Sequence, residues 1–268
     1  MIALLMLAAC GGGGGNGGSS SSSPSGGSPG SNPAQTSPSN SGSAQAFTLQ
    51  GGGTLTINSD NTGTFQQGGT SANLSPQLNG SPPAFAPGFG WPGAAALFRQ
   101  SGTSVPSFEL QRMAGAVGLS VSDFGAWAQI DPANGAIANQ GFYAGGQSGP
   151  VQMPASGTAT YNGSYIGTIG TFTTSNMDGG ISLQADFSHM AMQSQFTSGV
   201  LATGETASGP INADATYSTS RGRICTGCRI AYGLNGQFYG PSASETTGSF
   251  IGSFSPGSTF RGVFGAKR

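Results

Sequence analysis

The sequence predicts an all-β chain whose folded part is an antiparallel up-and-down barrel or a sandwich. Three observations carry that expectation. Glycine is abundant, at 49 of 268 residues, while charged residues make up only 6%. Apolar and polar residues alternate in short runs bounded by Gly, Pro, Asn, Asp or Ser, the pattern of half-buried strands joined by tight turns. Periodic runs of Leu, Ala, Glu and Lys, which long helices need, are missing from the sequence.

The chain opens with MIALLMLAAC, an apolar run too short to span a bilayer. Small residues before Cys10 suit a signal peptidase, and Leu7-Ala8-Ala9-Cys10 looks like a lipobox whose cysteine is diacylated. Two acyl chains anchor stably where one binds only marginally. No Lys or Arg precedes the run. Residues 1–10 are therefore read as a lipoprotein signal peptide with its lipidated cysteine. Gly11 stands where an Asp retains many lipoproteins in the inner membrane, which points to the outer membrane. Residues 11–45 carry only small and polar residues and no charge. They cannot bury apolar surface and are expected to form a disordered tether with a reach of roughly 30 Å. A Gly-x-Ser-x-Gly at Gly26 to Gly30 falls here, outside the strand-turn-helix context a hydrolase elbow needs.

Residues 46–112 read as a small strand-rich module. AFTLQ, GTLTINS and GTFQQ are strands, with a turn at Asp60-Asn61. Residues 70–106 read as irregular, with a brief helix over Ala94–Gln100. Residues 113–268 hold nine strand-like segments at hairpin spacing, beginning with LSVSDFGAWAQI and ending with FRGVFGAKR. Ile181, Leu183, Ala185 and Phe187 alternate with Ser182, Gln184 and Asp186, so one face is buried and one is wet.

The sharpest pattern lies in the last forty residues. Gly236-Gln237-Phe238-Tyr239-Gly240-Pro241 is followed by Ala243, Glu245, Gly248 and Phe250, and the chain closes with GVFGAKR. This resembles the C-terminal barrel signature of the transferrin-binding protein B superfamily of surface lipoproteins. Gly157–Gly163 and Ala185-Asp186-Phe187 are similar to barrel strands of the same family. The resemblance covers roughly 115–268 together with the lipobox and tether. It implies an eight-stranded up-and-down barrel with residues 46–112 as a shortened, handle-like module. It also implies a non-enzymatic, lipid-anchored, monomeric surface protein of the outer membrane. Such a protein recognises a host or environmental protein, or an iron- or haem-related ligand, through barrel or handle loops. One barrel in place of two lobes sets this chain apart from transferrin-binding protein B itself. Within the motif, Gly240-Pro241 ends a strand, and Glu245 is expected to satisfy backbone donors in the turn.

Candidate sites are few. Cys225 and Cys228 lie between strand-like segments, and in an oxidising envelope they are expected to form a local disulfide. A redox pair needs a helix N-terminus, and c-type haem attachment needs His where Arg229 stands. Arg221, Arg223 and Arg229 flank this turn and are three of eight basic residues. They form a candidate partner-binding loop, since Arg is enriched at hot spots and loops on rigid scaffolds carry recognition. His189, Met190 and Met192 are residue types that ligate haem iron, and they make a weak candidate haem site. No metal site, resident cofactor or catalytic residue is expected. His189 is the only histidine, and the nine carboxylates show no acid–base pair. Low charge argues against nucleic acid. The competing readings are a structural envelope lipoprotein without a specific ligand and an integral outer-membrane barrel. The second of these needs an outward apolar band, which Gly-, Ser- and Thr-rich strands do not supply.

Overall fold

The computed structural model describes residues 44–76, 89–100, 106–149, 151–170, 176–221, 230–254 and 257–268. The expected signal peptide with Cys10, and the tether up to residue 43, lie outside the described residues. The described chain is all-β apart from a one-turn helix, α1 (Ala114–Val117), and a 3-10 turn at Pro241–Ala243. Sixteen strands form two eight-stranded antiparallel sheets.

The first sheet contains β1 (Gln45–Leu49), β2 (Thr54–Ile57), β3 (Gly63–Gln67), β4 (Thr70–Leu74), β5 (Ala95–Gln100), β6 (Pro106–Arg112), β7 (Ser122–Ile130) and β8 (Ile137–Gln147). Its order is β4-β3-β2-β1-β8-β7-β6-β5. Every neighbour is thus a neighbour in sequence except β1 and β8, which pair through Phe47↔Gln147 to Leu49↔Gly145. The sheet curls into a nearly closed barrel in which β4 lies near β5. Its core is Leu55, Phe65, Phe108, Leu110, Trp127 and Tyr143 with their neighbours. Phe108 stacks on Trp127 with ring centroids 6.0 Å apart.

The second sheet is a closed barrel of β9 (Thr158–Ile169), β10 (Asn176–Asp186), β11 (Ala191–Phe196), β12 (Thr206–Pro210), β13 (Thr216–Arg221), β14 (Ile230–Tyr239), β15 (Glu245–Phe254) and β16 (Thr259–Lys267). Closure is the ladder from Phe260↔Ile169 to Lys267↔Asn162 between the last strand and the first. The expected alternation holds. Ile181, Leu183, Ala185 and Phe187 point inward and are buried, while Gln184 is exposed. Tyr161, Tyr165, Tyr217 and Tyr232 join Phe196, Phe238, Phe250 and Phe264 in filling the lumen, as expected of an eight-stranded barrel.

Three local expectations change. The division at 112/113 does not follow the ladders. β7 pairs with β6 through Phe108↔Gln129 to Arg112↔Gly125, so residues 122–147 complete the N-terminal sheet and the closed barrel starts at Thr158. The N-terminal module therefore has as many strands as the barrel. The brief helix at Ala94–Gln100 is instead β5, whose ladder to β6 outweighs the helix preference of Ala-Ala-Leu. β4 lies within the stretch read as irregular, and β12, with glycine and proline in it, was not recognised.

β7 is buried on both faces. Trp127 enters the core of its own sheet, while Phe124, Ala126 and Ala128 face the barrel and pack with Ile166 and Val263 on the barrel's outer wall. Small side chains at Ala126 and Ala128 let the two sheets approach. Glu245, at the start of β15, fastens this contact. Its carboxylate accepts hydrogen bonds from Ser120 N (2.7 Å), Ser120 Oγ (2.8 Å), Val121 N (3.0 Å), Ser122 N (2.9 Å) and Ser122 Oγ (2.8 Å). Glu245 does satisfy backbone donors, but those of the other module rather than of its own turn. Lys267 Nζ donates to Gly118 O at 3.1 Å, and Thr247 Oγ1 donates to Gly145 O at 3.2 Å.

Two outcomes follow. Hydrogen bonds to a charged group each contribute on the order of 2 kcal/mol, and loss of the carboxylate strands buried donors. Glu245→Ala should therefore lower the unfolding free energy by about 3 kcal/mol or more, read by urea denaturation; a change under ~1 kcal/mol would rule out this role. Burial raises all six tyrosines above the usual 10, with Tyr161 and Tyr165 pushed up to about 12 and Tyr143, Tyr217, Tyr232 and Tyr239 also raised. The unfolded chain ionises them near 10, so their contribution to stability is complete below that pH and is lost as pH climbs through 10 towards 12. Near-ultraviolet titration should show no tyrosinate in the native protein near pH 10 and cooperative appearance on alkaline unfolding. Ordinary ionisation of any tyrosine in the folded protein would contradict the packing.

Candidate functional site

Strand alternation sorts the barrel's connections to two ends. At one end lie residues 187–190, 211–215 and 240–244; at the other lies 197–205, and there β9, β13 and β15 end and β10, β14 and β16 begin, separated in sequence by 170–175, 222–229 and 255–258. The first set is short and internally bonded. Ser188 N and His189 N donate to Asp186 Oδ1, and Thr216 N donates to Asp214 Oδ1. The second set is mostly longer and forms the loop-bearing end.

The connection 197–205 is the best-described element there. Tyr165 Oη, from the barrel lumen, donates to Ser198 O at 3.2 Å and accepts from Leu201 N at 3.4 Å. Ser198 Oγ accepts from Gly180 N at 2.6 Å. Gly199 has φ of 78°, and a side chain there would run into the Asp178 carbonyl, so only glycine suits the position. Leu201 plugs the barrel at 1% exposure, and Val200 beside it is turned outward at 51%. Among the described residues, Val200 is one of two exposed large apolar side chains, and it is presented by a loop anchored on both sides.

Arg221 ends β13 at the same end. Its Nη1 donates to Thr206 O at 3.0 Å, and Nη2 lies 4.0 Å from Glu205 Oε1. Glu205 Oε2 also accepts from Thr203 Oγ1 (3.0 Å) and from Ile230 N (3.2 Å). Glu205 thus touches both residues that bound the connection 222–229. Of the proposed partner-binding loop, Arg221 is a brace at the base. Arg223 and Arg229 lie outside the described residues, as do Cys225 and Cys228. Glu205 was missed from sequence because the strand that follows it, β12, was missed.

The N-terminal module reaches the same end of the barrel. Trp91 Nε1 donates to Met177 O at 3.2 Å, and Asn176 Nδ2 donates to Gly90 O at 3.4 Å, both at the start of β10. Trp91 is held from behind as well. Its backbone N donates to Gln111 Oε1 at 3.1 Å, and Gln111 Nε2 donates to Phe89 O at 3.1 Å. The connection from β4 to β5 therefore ends against the loop-bearing end of the barrel.

The candidate haem set does not converge. His189 sits in the opposite, tight-turn end with its side chain 80% exposed, and its Nδ1 is 2.8 Å from Asp186 Oδ2. That hydrogen bond is the main reason the Asp186 carboxyl lies below its usual range. Met192 points into the lumen at 0% exposure. Met190, at φ of 50°, packs against the barrel core from its rim. One candidate ligand faces water while another is sealed in the core.

Residues 153–268 match the protein family described as the C-lobe and N-lobe beta barrels of Tf-binding protein B. Intact Ap-TbpB, with its N and C lobes, shares the fold at 17% identity and a TM-score of 0.52, over 76% of this chain and 41% of that one. A double mutant of the vaccine antigen transferrin-binding protein B from Haemophilus parasuis Hp5 does so at 14% identity and a TM-score of 0.52, over 84% and 44%. The chain thus spans about two-fifths of the length of those proteins. No curated protein matches it.

Replacing Glu205 with Ala should free both ends of the 222–229 connection. Trypsin should then cut at Arg223 or Arg229 at least several-fold faster, with global stability lowered by only about 1–2 kcal/mol. Unchanged cleavage would show that Glu205 does not hold this loop.

Proposed function

We propose that this chain, whose second half is a non-enzymatic β-barrel domain of the transferrin-binding protein B type, is a lipid-anchored surface protein of the outer membrane that binds a protein partner with its loop-bearing end. Cys10 carries the lipid, the residues from Gly11 up to the start of β1 at Gln45 form the tether, and Cys225 and Cys228 close a local disulfide that stiffens the Arg-flanked loop. The observation that carries the reading is the contrast between the two ends. The end with Val200, Arg221 and the Trp91 segment gathers most of the longer connections, an exposed apolar side chain, and both modules. Recognition surfaces characteristically combine an apolar centre with arginine.

The position of β1 supports the same orientation. Gln45 Nε2 donates to Ser120 O at 3.2 Å, and Ser120 is bonded to Glu245 at the tight-turn end. A chain entering there leaves the loop-bearing end facing away from its anchor. The lumen is filled by aromatic side chains, which favours recognition by external loops over enclosure of a ligand. Transferrin is the first partner to test, because the similar solved structures are named for binding it.

The test uses the chain with Cys10→Ala immobilised at its N-terminus and exposed to transferrin and to whole serum. Saturable capture of a specific protein is expected. Val200→Asp should weaken it on the order of tenfold, while His189→Ala, at the other end, should leave it unchanged. Sensitivity to His189→Ala with indifference to Val200→Asp would reverse the assignment of the binding end. In cells, labelling with a fatty acid should be lost in Cys10→Ala; persistence of the label would remove the anchor from the proposal.

A further inference from the structure

The turn between β7 and β8 carries a chemistry of its own. It reads Asp131-Pro132-Ala133-Asn134-Gly135, and Asn134 is exposed. Pro132 pre-sets the backbone for a tight bend. Asp131 O accepts from Asn134 N at 3.4 Å and from Gly135 N at 2.8 Å, and Asp131 N donates to Ala136 O at 2.8 Å. Gly135 has φ of 71°, and nothing lies within 4 Å of where a side chain would project. An asparagine before glycine is open to attack on its side-chain carbonyl by the glycine's backbone nitrogen, because no Cβ shields that nitrogen.

The Asn134 side chain is held by its oxygen. Asn134 Oδ1 accepts from Ala136 N at 2.8 Å, so the side chain runs alongside the Gly135 peptide. A donor on this oxygen also stabilises the negative charge it gains when Cγ becomes tetrahedral. The bond that opposes attack is the one from Gly135 N to Asp131 O. It lies at an exposed hairpin tip, where local opening costs little. The chain has five Asn-Gly pairs, three of them among the described residues. Asn162-Gly163 falls within β9 and Asn235-Gly236 within β14. Both of those asparagines are exposed too, so exposure does not separate the three; the backbone does. Gly163 is paired with Ile181 and Ala266, and Gly236 with Tyr217 and Gly248. An extended strand paired on both sides cannot turn its nitrogen towards the preceding side chain without breaking its ladders.

We propose that Asn134 is a site of spontaneous self-modification, converted to aspartate or isoaspartate by the backbone nitrogen of Gly135, with water as the co-reactant. The Gly135 N–H gives its proton to solvent, and the nitrogen bonds to Asn134 Cγ. The Cγ–Nδ2 bond breaks, and Nδ2 leaves as ammonia with a proton taken from solvent. Water then opens the cyclic imide at either carbonyl. One opening leaves an ordinary aspartate; the other carries the main chain through the former side chain. Nothing is oxidised or reduced. Either product adds a negative charge to a chain whose net formal charge is -1. The turn follows Ile130, which shares a cluster with Phe89 and Trp91. The new charge therefore arises at the end of the barrel where Trp91 meets the start of β10. The reaction is independent of the protein partner proposed above.

The experiment incubates the full chain carrying Cys10→Ala, folded, in mildly alkaline buffer. Peptide mass spectrometry follows each asparagine, since exchange of amide for carboxyl changes the fragment mass at one residue. Asn16 and Asn79 precede Arg99, the first tryptic site, so their fragment is separate from those of the other three. Asn134 is expected to convert at least about tenfold faster than Asn162 and Asn235. In urea all three backbones are released, and the three rates should come within about threefold of one another. A native rate at Asn134 no higher than at Asn162 or Asn235 would overturn the proposal. So would a preference for Asn134 that persists undiminished in urea, because it would then belong to the flanking residues and not to the folded turn.

Discussion

The arrangement of this molecule depends on one carboxylate. Glu245 sits at the first position of β15, buried, and receives three backbone and two hydroxyl donors from Ser120, Val121 and Ser122. Those three residues link α1 to β7, and β7 is the strand that presses Phe124, Ala126 and Ala128 onto the barrel. Apolar packing alone is non-directional and would allow the two sheets to slide or rotate. Five hydrogen bonds to one anion define a single register. With that register fixed, the contact of Trp91 with the start of β10 becomes a determined feature.

The lumen sets the limits on what the barrel can do. Its four tyrosines place their hydroxyls on internal acceptors: Tyr161 on Ala243 O, Tyr165 on Ser198 O, Tyr232 on Ser194 O, and Tyr217 against Thr246 Oγ1. The bonds of Tyr161, Tyr165 and Tyr217 tie the interior to strand ends or connections, and Tyr232 also donates to Glu205 O beside β12, so the lumen is braced up to its rim. Tyr165 carries this furthest, since it holds both Ser198 and Leu201 and thereby orients Val200. Binding is consequently a property of the rim, the outer wall and the junction between modules. The same division explains why the sequence shows a well-defined interior pattern and an outer wall of serine, threonine, asparagine and glutamine.

Much of the barrel was legible in sequence because burial on one face imposes a period of two. β9, β10, β11, β13, β14, β15 and β16 all fall where alternation and turn residues place them. β12 did not announce itself: Thr-Ala-Ser-Gly-Pro has one buried side chain, Ala207, and is a strand because β11 offers it a ladder. β5 reads as helix because Ala-Ala-Leu lacks β-branched residues, and tertiary pairing overrides that local preference. Of the candidate site residues, His189 and Met192 were suggested by residue type alone. Met192 stands on the inward face of β11, while His189 belongs to the turn before that strand and points to solvent, and residue type does not reveal that difference.

By itself the sequence determined the all-β class, the alternating strands and the structural character of the Gly240–Phe250 segment, since glycine content, alternation and proline act locally. It did not determine where one sheet ends and the other begins. LSVSDFGAWAQI alternates like a barrel strand, yet both faces of β7 are buried, one in each core. Which sheet a strand joins is decided by hydrogen bonds to residues distant in the chain, and those have no local signature. For the same reason only the tertiary structure revealed Glu245 as the joint between modules and Glu205 as the brace at the base of a loop. Each acts on a neighbour that folding, rather than sequence, brings within reach.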